Sequence, residues 1–312
     1  MNLKILITGC GGDIGQSVGK IIKQYEPSFL IGCDISDKNA ASFIFDNFFL
    51  SLPCSDKNYL NSIEKVIKKH SIDIVIPIAE PELRFYSNLG NIDKIGKAKL
   101  ICANPKSLKI GFDKLLTSQF LEANNLPFPK TTLLSDIEEL SDYPAIIKSR
   151  TGSGSSTVYI VKDENDFIYL KRKHPEFILQ EYLPSDQGEF TCGLFRSEKG
   201  EIRSIILKRE LTGGYSGYGE VIVNLEITNL LETIAERLEL NGSINVQLRM
   251  TSRGPVIFEI NPRFSSTVLF RHMFGFKDLL WSIEDKVNMP ISNCDVVKEG
   301  RKFYKGFSEF ID

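Results

Sequence analysis

Through its first hundred residues the chain alternates short apolar runs with helical stripes. Residues 3–8 (LKILIT) read as a buried strand, and Ile14, Val18, Ile21, Ile22 and Tyr25 follow at helical spacing. SFLIGCD (28–34) is a second strand, and 42–53 contain a third. A helix is predicted over 58–69, where Leu60, Ile63, Val66 and Ile67 share a face; the apolar runs IDIVIPIA (72–79) and AKLICA (98–103) come next. Strands apolar on both faces, alternating with helices, predict a parallel sheet covered by helices. The functional loops of such a sheet lie at the carboxyl ends of its strands. Here those are the 9–15 turn, Asp34 and AEPELR (79–84).

Past about residue 115 the pattern changes. LLTSQFLEANNLPFPKTTLL (115–134) is a helix ended by two prolines that force an extended exit. YPAIIKSR (143–150) and VYIV (158–161) are strands around the small-residue loop TGSGSST, then come the helix DENDFIYLKRK (163–173) and the strand FILQEYL (177–183). EFTCGLF (189–195), IRSIILKREL (202–211) and YGEVIV (218–223) read as consecutive antiparallel strands. A helix over 225–239 turns Ile227, Leu230, Leu231, Ile234 and Leu238 inward. SINVQLRM and GPVIFEIN are joined by the turn TSRG. The second part is thus α+β on antiparallel sheet, behind an α/β first part, and two architectures predict at least two modules.

Composition narrows the classes. In 312 residues, 38 basic against 40 acidic side chains give no pull toward nucleic acid or membrane. No apolar run approaches the roughly 20 residues of a spanning helix, and no signal-peptide pattern opens the chain. The six scattered cysteines, at 10, 33, 54, 102, 192 and 294, form no CxxC pair and read as reduced thiols of a cytoplasmic protein. Three isolated histidines (70, 174 and 272) leave oxygen as the expected donor to any metal.

Four stretches carry candidate chemistry. Gly9, Gly12 and Gly15 after the first strand, with Asp34 ending the second, outline a dinucleotide-binding turn and so a NAD(P)-dependent oxidoreductase. A tight strand–helix connection, however, favours glycine for steric reasons alone. The only Tyr-x-x-x-Lys, Tyr169 to Lys173, falls on a solvated helix end. In IIKSRTGSGSSTVYIV, Lys148 ends an apolar strand beside a Gly/Ser hairpin able to close over phosphates. In ILQEYLPSDQGEF, Pro184 breaks a strand after Gln180 and Glu181, exposing backbone that can read an adenine edge, with Glu189 facing ribose hydroxyls. In NVQLRMTSRGPVIFEINPR, Glu259 and Asn261 share a strand face and the turn brings Gln247 alongside, an oxygen set suited to Mg²⁺. A salt bridge of Glu259 with Arg249 or Arg263 is the plainer alternative.

Taken in order, these motifs resemble the ATP-grasp superfamily, in its carbamoyl phosphate synthetase large-subunit branch. INVQL…VIFEINPRFSSTV is similar to the metal-site signature of that branch, and KSRTGSGSSTV to its flexible loop. The resemblance implies a Rossmann-like pre-ATP-grasp domain over 1–113, an ATP-grasp N-terminal subdomain over 114–185 and a C-terminal subdomain over 186–312. It implies ATP contacts from Lys114, Lys148, Ser153, Gly154, Glu181, Tyr182, Leu183 and Glu189. It also implies metal ligation by Gln247, Glu259 and Asn261 to Mg²⁺, with Mn²⁺ as the alternative ion. Arg263 would face the transferred phosphoryl group and Arg209 the acceptor. The sequence departs from the branch at KSR, where many relatives have Lys-Pro. Its length is short of a large subunit with two ATP-grasp units, so the resemblance implies a stand-alone ADP-forming carboxylate–amine ligase working through an acyl phosphate. A kinase-type phosphotransferase is the runner-up, and small-molecule carboxylate and amine are the expected partners, with a homodimer left open. The 209–220 loop and the AEPELR turn are the expected substrate-facing segments.

Overall fold

The computed structural model describes residues 2–27, 29–90, 93–152, 157–295, 297–306 and 308–311. Its first sheet is built from β1 (Lys4–Thr8), α1 (Asp13–Lys23), β2 (Phe29–Asp34), β3 (Asn47–Leu50), α2 (Tyr59–His70), β4 (Ile74–Pro77), α3 (Glu80–Asn88), β5 (Lys94–Ile95) and β6 (Ala98–Leu100). The strand order is β3-β2-β1-β4-β6-β5, parallel except for the β5–β6 pair. Period-two alternation sends Ile5 and Ile7 of β1 to a core shared with Val18, Ile21 and Ile22 of α1. Leu6 goes to the opposite core, with Ile63 and Ile67 of α2. Both faces of the sheet are therefore covered, as its apolar strands require.

AEPELR is not a loop. Pro81 sits in the first turn of α3, where its missing N–H is no loss, and Ala79 is the N-cap. Next come α4 (Pro105–Gly111) and α5 (Lys114–Ala123), then a four-stranded antiparallel sheet in the order β7-β10-β8-β9. Its strands are β7 (Thr131–Leu133), β8 (Ala145–Lys148), β9 (Val158–Val161) and β10 (Ile178–Glu181), with α6 (Glu164–Lys173) packed on it through Phe167 and Leu170. Tyr169, on the other side of α6, is 60% exposed, as a solvated helix end should be.

The third sheet has the order β15-β14-β11-β12-β13-β16 and is antiparallel throughout. Its members are β11 (Glu189–Arg196), β12 (Ile202–Thr212), β13 (Tyr215–Ile222), β14 (Gly242–Thr251), β15 (Gly254–Asn261) and β16 (Lys302–Tyr304). The expected 209–220 loop is the end of β12 and most of β13, so the segment is rigid ladder rather than loop. Helix α7 (Leu225–Arg237) buries Ile227, Leu231 and Ile234 completely against this sheet; full burial is worth about 1.5–3 kcal/mol per side chain. Helices α8 (Val268–Met273) and α9 (Asp278–Lys286) follow β15. They cross back: Phe264, Val268, Leu279 and Ile283 join the core of the first sheet, while Trp281 packs under the third. No described helix is long and apolar enough to cross a membrane.

Candidate ATP-binding cleft

One cleft of about 1310 Å³ runs between the three sheets. At one end lie the carboxyl ends of β1 and β4, where the strand order of the first sheet reverses, the place where open α/β sheets bind ligands. At the other lie β8, β10 and the polar face of the third sheet.

The lysines are placed by local rules. In β8, Ile147 faces the core and Ile146 and Lys148 face the cleft. Lys148 is only 6% exposed, with Nζ 5.9 Å above the Phe258 ring. Burial lowers its ammonium to about 8, against the opposing pull of Glu259 and with help from nearby Lys114 and Arg249. Asp113 caps α5 by accepting from the Leu115 and Leu116 amides, which fixes Lys114 as the first helical residue. The same carboxylate holds Arg150 at 2.7 Å, tying the helix start to the segment after β8. Lys114 Nζ donates to the Gly152 carbonyl at 2.7 Å and lies 3.8 Å from Glu259 Oε1. Ser153 and Gly154 lie outside the described residues.

Around the hinge, Leu183 is buried and its carbonyl accepts from Arg249. Glu181 is anchored outward, accepting from the Lys130 amide at 3.1 Å and pairing with Arg253 at 2.5 Å. Tyr182 is half-buried and not part of the cleft lining, while Gln180, Glu181 and Leu183 are. Glu189 is held from both sides: Arg209 and Arg249 each stand 2.8 Å from one of its oxygens. Burial pushes its carboxyl up, but Arg209 and then Arg249 outweigh this and hold it below the usual carboxylate range.

The hairpin β14–β15 brings the oxygen donors together. Gln247 stands opposite Glu259 and Asn245 opposite Asn261, with an irregularity just after Gln247. Gln247, Glu259 and Asn261 all line the cleft, and Gln247 Oε1 accepts from Arg209 at 2.9 Å. Arg263 follows Pro262 into the same wall, its guanidinium braced on the Phe264 carbonyl. Burial lowers its pKa, against Glu259 and Glu80. The Glu259 partner in ion-pair range is Lys114 rather than Arg249 or Arg263. Among the described residues no three of His, Cys, Asp and Glu cluster as a metal cage. One carboxylate with two amide oxygens instead fits a hard cation whose shell is completed by phosphate oxygens, the usual habit of Mg²⁺.

At the glycine turn the polar groups satisfy one another. The Gly11 amide donates to Asp34 at 2.9 Å, and Gln16 donates to the Gly11 carbonyl at 2.7 Å. Glu82 accepts from Thr8 at 3.0 Å and from Tyr59 at 2.5 Å. Gly9 has φ +64°, and a Cβ on Gly15 would lie 2.5 Å from Cys10 Cα. These glycines have steric reasons of their own. An Asp34 turned onto Gly11 occupies the amide that a dinucleotide pyrophosphate would need.

Among the lining residues that the motifs do not include are Asn245 and Lys305. Asn245 was legible, because alternation in INVQ puts it on the face of Gln247. Lys305, ion-paired with Asp13 across the cleft, had no local signal.

With the geometry in place, comparison gives the family. The chain belongs to the ATP-grasp family: a family model described as an ATP-grasp domain matches residues 112–267, and a PylC-like N-terminal domain matches residues 5–96. It is 27% identical over 198 residues to a D-alanine–D-alanine ligase of Corynebacterium glutamicum, covering 53% of this chain and 54% of that one. It is 23% identical over 234 residues to a carbamoyl phosphate synthase large chain of Clostridium acetobutylicum, 67% of this chain and 21% of that one. The chain spans about half the length of three of the D-alanine–D-alanine ligases it matches and 68% of a fourth. Among solved structures, an N5-carboxyaminoimidazole ribonucleotide synthetase in complex with ADP superposes with TM-score 0.76 at 19% identity, over 95% of this chain and 80% of that one.

Proposed function

We propose that this chain is an ATP- and Mg²⁺-dependent, ADP-forming carboxylate–amine ligase that works through an acyl phosphate. The observation that carries the reading is the gathering of Lys114, Lys148 and Arg263 about Glu259 in one cleft that also reaches the switch point of the first sheet. Cations held this close, one of them desolvated enough to lower its pKa, are suited to a polyanion. The ATP-grasp ligases among the relatives support ATP as that polyanion.

On this reading the adenine packs at Leu183, with Glu189 and Arg249 toward the ribose, and Lys148 and Lys114 hold the phosphates. Mg²⁺, with Mn²⁺ as the alternative ion, would be held by Glu259, Asn261 and Gln247 and would neutralise phosphate charge. A carboxylate oxygen attacks the γ-phosphorus, the bond to the β-bridging oxygen breaks, and ADP leaves. Arg263 stabilises the charge of the transferred group. The neutral amine then attacks the acyl carbon, the bond from that carbon to the phosphate oxygen breaks, and phosphate departs with the proton that nitrogen gives up. Arg209 is held between Glu189 and Gln247, so its part is to brace the metal wall rather than to meet the acceptor directly. We place the protein in the cytoplasm, in line with six free cysteines.

An ADP-release screen of carboxylates against amines, begun with amino acids, tests the reading. A substrate pair that gives ADP and phosphate in equal amounts, with a hydroxamate when hydroxylamine replaces the amine, is the expected result. A stable phosphoester product would make the chain a kinase instead.

A further inference from the structure

The face of β14 that carries Gln247 is polar along its length. Ser243, Asn245, Gln247 and Arg249 alternate with Ile244, Val246 and Leu248, which point into the α7 core. The row runs from the cleft into the protein interior, and its inner end is charged. There Arg271 of α8 is completely buried, 3.8 Å from the equally buried Asp278, which in turn accepts from the Ser243 hydroxyl at 2.7 Å. Nη2 of Arg271 donates to Asn245 Oδ1, and the Thr191 hydroxyl donates to the same oxygen at 2.8 Å. Room for the guanidinium comes from Gly193, opposite Asn245 on β11, where a Cβ would stand 3.0 Å from Arg271 Cζ.

As a stabilising device this arrangement is poor. Nε and Nη1 of Arg271 find no hydrogen-bond partner among the described residues. A buried ion pair so thinly supported is commonly no better than an apolar side chain of its size. Its effect on Asn245 is specific, however. A carboxamide can turn over, exchanging oxygen for nitrogen; the Arg271 guanidinium, which can only donate, forbids that, since the flipped NH₂ would face it, whereas the Thr191 hydroxyl could donate or accept in either orientation. Asn245 lines the cleft opposite Asn261, so its amide nitrogen is the atom left to face the ligand.

We propose that Arg271 is a positioning residue: through Asn245 Oδ1 it holds the Asn245 amide nitrogen toward the cleft as a fixed donor to the terminal phosphate of ATP. The proposal rests on the ATP-binding half of the reading above and not on the ligase outcome.

The test is equilibrium binding of MgATP and of MgADP to the full chain by calorimetry. Wild type is compared with Asn245→Ala, Arg271→Lys and the double variant, each with its unfolding temperature. A hydrogen bond from a neutral amide to an anionic oxygen predicts that Asn245→Ala weakens MgATP by about tenfold or more and leaves MgADP unchanged. Arg271→Lys should reproduce that change in the ATP-to-ADP ratio, and the double variant should be no worse than Asn245→Ala alone. A lower unfolding temperature with the ratio untouched, equal loss for both nucleotides, or effects that multiply in the double variant would each overturn the proposal. Should Arg271→Lys fail to fold, Arg271→Met takes its place and the same shift in ratio is required of it, while Thr191→Val, which leaves the Arg271 donor in place, should leave the ratio unchanged. Wild type that binds MgATP yet releases no ADP in the substrate screen refutes the ligase reading and leaves these ratios to be judged on their own.

Discussion

The two ends of the cleft are made of the same materials, a glycine-bearing turn and a few charged side chains, and they are wired in opposite ways. At the first sheet the polar groups close on one another: Asp34 takes the Gly11 amide, Glu82 takes Thr8 and Tyr59, and Asp13 pairs with Lys305. At the second and third sheets Glu189 is likewise satisfied, by Arg209 and Arg249, but Lys114, Lys148 and Arg263 stand about Glu259 with Lys114 alone in ion-pair range, and burial lowers the Lys148 ammonium. On the proposed function, the like charges held together out of water are completed by a ligand of opposite charge, so the end less conspicuous in the sequence would carry the chemistry.

Substitutions at the strained end should have the largest effect. Lys148→Ala and Glu259→Ala are expected to lower ADP release at least about 100-fold, the scale of losing one preorganised charge in a closed site. Retained turnover in either variant would break the contrast. Acidity comes next. Lys148 is lowered to about 8, so the free protein loses that charge as pH rises through 8. MgATP affinity should then weaken by up to about tenfold per pH unit above 8, and Lys148→Arg should abolish the slope; a flat wild-type profile from pH 7 to 9.5 would show that burial does not strain this lysine.

Glu189→Gln sharpens the comparison from the side of stability. It leaves two guanidiniums without their shared carboxylate, an expected cost of about 3 kcal/mol, toward the low end for buried pairs because Arg249 is partly exposed. The folded pKa of Glu189 lies below its unfolded value. Its stabilisation is therefore present above the ordinary carboxylate range and is lost as pH falls through the lowered pKa. Wild type should accordingly lose more stability than Glu189→Gln between pH 7 and pH 3 in denaturant titrations.

At the scaffold end the effects should be confined to folding. Gly15→Ala puts a Cβ 2.5 Å from the Cys10 backbone and should cost about 1–3 kcal/mol in stability, with MgATP affinity unchanged. The smallest expected effect is none at all: NAD(P)H should not move the unfolding temperature, whereas MgATP at a hundredfold its Kd should add about 2.7 kcal/mol. Protection by NAD(P)H would reverse the roles of the two ends.

How much of this could be read beforehand depends on distance along the chain. Strand and helix identities were legible wherever period two or 3.6 ran unbroken, as in LKILIT or in 225–239. The cleft-facing positions of Lys148, Glu259 and Asn261 are legible because Lys148 and Asn261 end apolar strands and Glu259 interrupts one, and such polar residues must be exposed or paired. AEPELR reads as a loop from its place at the carboxyl end of a strand, but there α3 begins at once, with Pro81 in its first turn.

The sequence by itself determined the class of each sheet, the turns between strands and the residue types about Glu259, because those follow from local periodicity and local backbone chemistry. Tertiary structure alone decided that β14 lies beside β11, that Glu189 is shared by two arginines, that α8 and α9 return to the first sheet, and that Arg271 stands behind Asn245. Such contacts join residues tens to hundreds of positions apart. What selects them is the close packing of whole sheets, where burial leaves each charge only the partners that the packing delivers.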